Sequence, residues 1–238
     1  MADEKNSRIL LLLQTGPALL AVSILSYVAL AAILFGLAGR FDLPWLWATL
    51  IVVAVSHLVM VLAVFRHDPG LTRERIKPGP GVPLWDTIVL KLSVLLMLAI
   101  MAIALLDVGR WHWSDSVPPI IQGLGLLHLI LGMSLMTWSM AVNTFFSKVV
   151  RIQDDRGHKV IDEGPYRFVR HPGYVGWTLL WLGFILAIGS WFAFGLSILG
   201  VAAIVLRTYL EDRFLKANLD GYADYASRVK WRLIPGIW

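Results

Sequence analysis

The sequence predicts an all-α, polytopic integral membrane protein, a bundle of about six spanning helices that ends in a helical hairpin and a cytoplasmic amphipathic tail. Of the 238 residues, 58% are hydrophobic, above the roughly 45–50% of soluble domains, and the mean hydropathy is +0.70. The hydrophobic residues also fall in long blocks, and a helix needs about 20 of them to cross the hydrocarbon core.

Five blocks are long enough or nearly so: Ile9–Gly39, Pro44–Phe65, Thr87–Leu106, Pro119–Val142 and Tyr174–Leu206. The last block is too long for one span, and Gly189-Ser190-Trp191 interrupts it. We therefore expect two short helices in a hairpin, the first of them the shortest span. This divides one membrane domain into four spans in residues 1–142 and a cofactor-binding region in residues 143–238.

The first block contains Gln14, Thr15 and Pro17, so its spanning part is expected to begin near Pro17 after an interfacial turn. The start Met1–Glu4 is not basic and no clear cleavage site follows it, which argues against a signal peptide.

Basic residues concentrate on one side of this topology. The connections 66–86 and 143–173 and the tail 211–238 hold most of them, whereas the short opposite connections hold Arg40 and Arg110. By the positive-inside rule both termini are cytoplasmic. The net charge of +5 therefore indicates topology first, attraction for anionic lipid or an anionic ligand second, and not nucleic-acid binding.

Several classes of site are excluded. The chain has no cysteine, so disulfides, thiolate catalysis and cysteine zinc sites are ruled out, and no dense metal-ligand spacing or GxSxG motif is present. His57 and His128 lie deep in predicted spans, where an ionisable residue is either functional or a hydrogen-bonded contact between helices.

The stretch Glu163–Trp177, EGPYRFVRHPGYVGW, places charges directly before an apolar run. Pro172 suits the first turn of a helix, where its missing N–H costs nothing. The helix N-terminus, together with Arg167 and Arg170, would attract a carboxylate or phosphate. The alternative is a positive-inside anchor at a well-formed helix start.

The end of the sixth span carries Arg207, Glu211 and Asp212. Residues four apart share a helix face, so Arg207 and Glu211 are either an interfacial ion pair or part of a site. The hairpin would bring this acidic pair beside His171, as a zwitterionic ligand requires. Glu211–Arg228 continues as an amphipathic helix and Trp231–Trp238 is expected to be irregular.

The segment GPYRFVRHPGYVG, Gly164–Gly176, resembles the GPYRxxRHPxYxG signature of the isoprenylcysteine carboxyl methyltransferase and phospholipid N-methyltransferase superfamily. The resemblance runs from about Asn143 to the C-terminus and is to bacterial-type membrane enzymes, which implies a bacterial inner membrane. It continues at Arg207, Glu211, Asp212, Leu215, Tyr222, Tyr225, Val229 and Arg232–Pro235.

The resemblance implies a pocket for S-adenosylmethionine at the cytoplasmic leaflet and a tunnel that admits a lipophilic or lipidated acceptor from the membrane. It assigns catalytic or orienting roles to Arg170, Arg207 and Glu211. The family often has two glutamates where this chain has Glu211-Asp212. The cofactor contacts that it implies are Gly164, Pro165, Tyr166, His171, Tyr174, Glu211, Asp212 and Arg232.

Methyl transfer from a sulfonium is an in-line displacement that needs alignment and little acid–base work. An arginine could hold a carboxylate acceptor, whereas an amine would first need a neutral base, for which His171 or Glu211 is nearest. Prenylcysteine carboxylate, phospholipid amine and a small isoprenoid or phenolic lipid stay open, and the loop Arg66–Asp86 is a candidate for selecting among them.

Two other functions stay open. The ending Arg232–Trp238 is similar to that of membrane sterol reductases, which bind NADPH and usually have more spans. The GPYR element before the RHP element favours the methyltransferase. The third possibility is a non-catalytic membrane protein whose basic pocket binds anionic lipid.

Overall fold

The computed structural model describes residues 16–114 and 117–238, and within them the backbone forms eight α-helices and no β-strand, so the all-helical prediction is confirmed. A π-helical turn, Asp107–Trp111, extends α4, and two 3-10 turns, Asp154–Arg156 and Gly164–Arg167, lie between α5 and α6. The helices are α1 Gly16–Ala38, α2 Pro44–His67, α3 Pro69–Ile76, α4 Leu84–Leu106, α5 Pro119–Val142, α6 Pro172–Ile188, α7 Trp191–Asn218 and α8 Tyr222–Arg228.

The chain is an integral, multi-pass membrane protein. Large apolar side chains face outward, as lipid contact requires: Leu25 is 69% exposed, Leu95 65% and Ile198 69%. The helix α6 is apolar but has 17 residues, fewer than the about 20 that a span needs, so the count of six spans stays a prediction. The segments that are long and apolar enough to cross a membrane are Ala21–Ala38, Pro44–Val64, Leu84–Trp111, Pro119–Val142 and Trp191–Asn218.

The antiparallel helices α5 and α6 approach until their backbones touch. Gly125 and Gly132 are two turns apart on α5, as are Gly176 and Gly183 on α6, so each pair lies on one helix face. A Cβ on Gly132 would lie 2.6 Å from the Gly176 carbonyl oxygen, and one on Gly183 would lie 2.7 Å from that of Gly125. Small residues permit this packing, which fixes the start of α6 against the end of α5.

The predicted hairpin joins α6 to α7. Gly189 ends α6 with a φ of +91°, a left-handed conformation that glycine adopts without strain. Ser190 then caps α7, since its Oγ accepts a hydrogen bond from the Ala193 N–H at 3.0 Å. We call this end of the bundle, with residues 39–43, 107–114 and 189–190, the turn end. Its opposite, with residues 66–86, 143–173 and 211–238, is the tail end.

The connection 66–86 is more ordered than the sequence indicated. It contains α3, which begins after Asp68 accepts a hydrogen bond from the Leu71 N–H at 3.0 Å. Leu71 is completely buried in a cluster with Val64 of α2 and Met140 of α5. The helix α4 begins at Leu84, before the expected Thr87, and its first turn buries Asp86.

The two intramembrane histidines differ. His57 Nδ1 lies 2.6 Å from the Tyr27 hydroxyl. This hydrogen bond joins α2 to α1, which is the contact between helices that the sequence offered as the alternative to a functional role. His128 Nδ1 instead lies 2.8 Å from the Leu124 carbonyl oxygen of its own helix. The turn expected before Pro17 and the start Met1–Glu4 lie outside the described residues.

Candidate functional site

A cavity of about 320 Å³ opens at the tail end. The loop 143–161, the start of α6, the end of α7 and α8 form its polar half. The other half extends between α4, α6 and α7 toward the middle of the bundle, and its apolar lining residues include Leu90, Val94, Met97, Trp177, Ala203 and Ile204. One cavity therefore joins a charged region to an apolar one.

The start of α6 is held by the C-terminal tail. The backbone N–H of Arg170 donates to the Trp231 carbonyl at 2.9 Å, and that of His171 donates to the Arg232 carbonyl at 3.0 Å. Pro172 occupies the first helical position. The RHP element and the last nine residues therefore form one unit, although 60 positions separate Arg170 from Lys230.

A fully buried carboxylate, Asp212, lies at the centre of this unit. Its Oδ1 accepts from Arg170 Nε at 2.7 Å and from the Tyr222 hydroxyl at 3.2 Å. Its Oδ2 accepts from Arg232 Nε at 3.0 Å and lies 3.2 Å from Lys216 Nζ. Asp212 and Arg232 do not line the cavity. The geometry thus favours internal charge pairing for Asp212, in place of the cofactor contact expected from the sequence.

Arg170 is also fully engaged within the protein. Besides Asp212, its guanidinium donates to the carbonyls of Val229 at 2.7 Å and Lys230 at 2.8 Å. Only 3% of its side chain is exposed. Arg170 lines the cavity, but its donors hold the tail in place, so this geometry favours a positioning role over the catalytic one that was expected.

Glu211, the neighbour of Asp212, faces the cavity. Its Oε2 accepts from the Tyr174 hydroxyl at 2.6 Å, and its Oε1 lies 3.9 Å from His171 Nδ1. The side chain is 23% exposed, so one carboxylate oxygen remains able to accept from a ligand. The hairpin therefore brings Glu211 close to His171, as the sequence predicted, and also into contact with Tyr174.

Arg207 is paired with a carboxylate that sequence reasoning missed. Its Nε donates to Asp86 Oδ1 at 3.0 Å, and its Nη2 donates to the Lys148 carbonyl at 2.9 Å. The guanidinium lies 5.8 Å from the centroid of the Tyr174 ring. Asp86 also accepts from the Val150 N–H at 2.8 Å, so it orients Arg207 and the loop over the cavity together.

The GPY element shapes the wall of the cavity. Gly164 has a φ of +55°, and neither it nor Pro165 lines the cavity, whereas Tyr166 does. The Tyr166 hydroxyl accepts from Asn143 Nδ2 at 3.0 Å, and burial raises its pKa, so that it stays neutral. Burial likewise raises the pKa of Tyr225, whose hydroxyl donates to the Tyr166 carbonyl at 2.8 Å.

A second buried ion cluster fixes the loop to α3. Arg151 donates to Glu74 through Nε at 2.9 Å and Nη2 at 2.8 Å, and to Asp155 through Nη1 at 2.8 Å. These hydrogen bonds with Glu74 and Asp155 raise the pKa of Arg151. They lower the pKa values of Glu74 and Asp155 in turn. No sequence motif marked this cluster, since Glu74 and Arg151 are 77 positions apart.

Six of the site residues expected from the sequence therefore line one cavity: Tyr166, Arg170, His171, Tyr174, Arg207 and Glu211. Within the described ranges, no group of three or more His, Asp or Glu side chains is arranged to hold a metal ion.

Residues 120–220 match the family model described as phospholipid methyltransferase. Protein-S-isoprenylcysteine O-methyltransferase B of Arabidopsis thaliana is 28% identical over 127 residues, which are 50% of this chain and 59% of that relative. The chain thus matches little more than half the length of this curated relative.

A solved structure titled as the eukaryotic intramembrane Ras methyltransferase, isoprenylcysteine carboxyl methyltransferase, is 21% identical. The likeness covers 79% of this chain and 68% of that one at a TM-score of 0.46, which is too low to establish a shared fold. Residues 120–220 of this chain are therefore similar to the phospholipid methyltransferase family, and part of the chain is similar to an isoprenylcysteine O-methyltransferase.

Proposed function

We propose that this protein is a membrane methyltransferase that uses S-adenosylmethionine to methylate a lipophilic acceptor. The observation that carries the proposal is the single cavity in which a charged half meets an apolar half. A polar methyl donor needs a polar binding site and a lipid needs an apolar one. The two sites must adjoin, because the methyl group and the acceptor atom have to be held in contact for the transfer.

The residues of the polar half fit the cofactor. S-adenosylmethionine supplies an electrophilic methyl group on a sulfonium. Glu211 has a free acceptor oxygen for an ammonium group or ribose hydroxyls. The first turn of α6, at Gly173, suits a carboxylate because helix N-termini present unpaired N–H groups. Tyr174 and Arg207 orient Glu211 and the adjoining wall.

We propose a prenylcysteine-type carboxylate as the acceptor. The Arabidopsis relative is named for isoprenylcysteine O-methylation, and the apolar half of the cavity, lined by Val94 and Ile204 among others, suits an isoprenoid chain. A carboxylate needs no deprotonation at neutral pH, so the protein need only align it and exclude water. An amine acceptor would instead require a neutral base among the lining residues.

We further propose that the tail end faces the cytoplasm, because the positive-inside rule assigns the basic connections to that side. Both termini are then cytoplasmic if α6 completes a sixth span. Location in a bacterial inner membrane stays a prediction.

The test is calorimetric titration of the detergent-solubilised protein with S-adenosylhomocysteine and, in parallel, with NADPH. We expect binding of S-adenosylhomocysteine alone, which would justify a radiolabelled methyl screen over prenylcysteine and phospholipid acceptors. Binding of NADPH alone would favour a reductase. Binding of neither, in detergent and in lipid nanodiscs alike, would favour an anionic-lipid-binding protein without catalysis.

Site variants sharpen this test. We expect His171→Ala and Glu211→Gln to weaken S-adenosylhomocysteine binding about tenfold, because each removes a charged or hydrogen-bonding group at the cavity. The matched control is Glu163→Gln, since Glu163 is an exposed carboxylate directly before the signature segment and does not line the cavity. Unchanged binding by both site variants, with a normal folded yield, would mean that the cofactor lies elsewhere.

A further inference from the structure

The cavity has more cations than its own carboxylate can balance. Six of the described residues that line it are lysines or arginines, whereas one, Glu211, is acidic. The basic ones are Arg75, Lys148, Arg151, Lys159, Arg170 and Arg207.

Three of these six are neutralised by carboxylates behind the cavity wall. Arg151 pairs with Glu74 at 2.8 Å, Arg170 with Asp212 at 2.7 Å and Arg207 with Asp86 at 3.0 Å. Of the remaining three, Lys148 and Lys159 are exposed, so water can solvate their ammonium groups.

Arg75 is different because it is partly buried and unneutralised. Across residues 16–114 and 117–238, no carboxylate lies within ion-pair distance of its guanidinium. Its Nη1 makes one long hydrogen bond, 3.3 Å to the Phe146 carbonyl oxygen. Burial lowers the pKa of Arg75, but an arginine stays charged at neutral pH. An unneutralised cation in such surroundings attracts an anion that enters the cavity more strongly than an exposed cation would.

Arg75 is carried by a different helix from the proposed cofactor contacts, although one aromatic ring, that of Phe146, adjoins both Arg75 and Gly173. Its guanidinium lies 5.6 Å from the centroid of the Phe146 ring. The edge of that ring covers the start of α6, since a Cβ on Gly173 would lie 2.5 Å from it. Arg75 is carried by α3, whose Leu71 packs against α2 and α5, and not by the hairpin that carries Glu211.

We propose that Arg75 binds the anionic group, a carboxylate or a phosphate, of the lipophilic acceptor, and so selects acceptors by charge. The proposal rests on the function proposed above and deepens it. It also assigns a ligand contact to the connection 66–86, which lies outside the region matched to the family, residues 120–220.

The experiment compares three probes with the same isoprenoid chain: N-acetyl-S-farnesylcysteine, its uncharged carboxamide, and farnesyl phosphate. Dissociation constants are measured by microscale thermophoresis in detergent with saturating S-adenosylhomocysteine. We expect the wild-type protein to bind at least one of the anionic probes about tenfold more tightly than the carboxamide, which is the effect of one charged hydrogen bond. The preferred anion distinguishes a carboxylate from a phosphate acceptor.

In Arg75→Gln we expect the anionic probe and the carboxamide to bind with dissociation constants within about twofold of each other, because the charged hydrogen bond is lost. S-adenosylhomocysteine should bind to this variant as it does to the wild type. The matched control is Arg73→Gln on the same helix, since Arg73 is exposed and does not line the cavity. Should the glutamine variant fold poorly, Arg75→Met, which keeps an unbranched side chain beside Phe146, carries the same expectation.

An undiminished preference in Arg75→Gln overturns the proposal, as does a wild type without preference. The proposal is also overturned if the variant weakens the binding of S-adenosylhomocysteine as much as the binding of the anionic probes. Arg75 would then bind the cofactor and not the acceptor. Failure of the proposed function is distinct. If the wild type does not bind S-adenosylhomocysteine, the probes are compared without it, and a preference that depends on Arg75 still supports the anion site.

Discussion

The two ends of the α6–α7 hairpin each bury an aspartate completely, but with opposite kinds of partner. At the turn end, Asp107 accepts from the Ser190 hydroxyl at 2.5 Å, and from the Ser114 hydroxyl at 2.6 Å and N–H at 3.1 Å. At the tail end, Asp212 forms ion pairs with Arg170, Arg232 and Lys216. One carboxylate is therefore held by neutral dipoles and the other by cations.

This difference shows that the basic excess at the tail end is more than a topology signal. At the turn end the cations are used elsewhere, since Arg40 pairs with Asp42 and Arg110 donates to the Leu37 carbonyl. At the tail end Arg170 is itself buried and fixes the start of α6 through Asp212. Part of the positive charge there is internal and holds the candidate site together.

The largest expected effect is that of Asp212→Asn. The substitution would leave Arg170, whose side chain is 3% exposed, without its counter-ion, and breaking a buried pair typically costs about 3–5 kcal/mol. We expect a loss of this size in the free energy of unfolding, measured by denaturant titration in mild detergent. Binding of S-adenosylhomocysteine should fall with it, because Asp212 fixes the segment that carries His171.

The control for this variant is Asp220→Asn, an exposed aspartate just beyond α7, which should change neither quantity measurably. If Asp212→Asn were as stable as the control, Arg170, Arg232 and Lys216 would not depend on Asp212 as their counter-ion. The contrast drawn between Asp212 and Asp107 would then be wrong.

A smaller effect is expected for Asp107→Asn. Its Oδ2 accepts from both serine hydroxyls, and the amide oxygen of asparagine can keep those bonds. The amide nitrogen then faces the Ser114 N–H, so one buried donor loses its acceptor at a cost of about 1–3 kcal/mol. We expect this loss in the free energy of unfolding and no change in S-adenosylhomocysteine affinity, since no cation is released near the cavity.

The exposed Asp42, which pairs with Arg40 at the same end, is the control, because Asp42→Asn disturbs only a surface ion pair. A lower affinity of Asp107→Asn for S-adenosylhomocysteine would contradict this contrast between the two ends. It would show that the turn end is coupled to the candidate site at the tail end.

The features predicted from sequence are those with a local signal. Pro172 before an apolar run and Gly189-Ser190 within one predict the start of α6 and the hairpin, and the hairpin brings Glu211 to His171. Glu211 and Asp212 were both expected to contact the cofactor, although neighbours in a helix point about 100° apart. That rotation directs Glu211 to the cavity and Asp212 to the tail.

Other contacts have no local signal. Asp86 and Arg207 are 121 positions apart, and either could be interpreted as an ordinary charge at a helix end. Only the packing of α4 against α7 shows that Asp86 is buried and that it is the counter-ion of Arg207. The neutralised and unneutralised arginines of the cavity likewise differ through tertiary contacts, which residue type and spacing do not encode.

The smallest expected effect near neutral pH is a pH dependence at the tail end through His158. Its Nδ1 accepts from the Gln153 N–H at 3.2 Å, and its ring lies 4.6 Å from that of Phe145. Burial is the main cause that lowers the pKa of His158 from 6.5 to about 4, with Arg151 and Arg156 adding to it and Asp154 opposing it.

Because the folded-state pKa lies below the unfolded one, the unfolded chain takes up the proton first as the pH falls. The stabilisation by neutral His158 is therefore complete above pH 6.5 and is lost progressively toward about pH 4. Between pH 7 and pH 6 the loss should stay below about 1 kcal/mol. We expect His158→Gln to remove this part of the slope in denaturant titrations at several pH values. Equal slopes for variant and wild type would show that His158 is protonated in the folded protein as readily as in the unfolded chain, and that the polar half of the cavity is wetter than its contacts indicate.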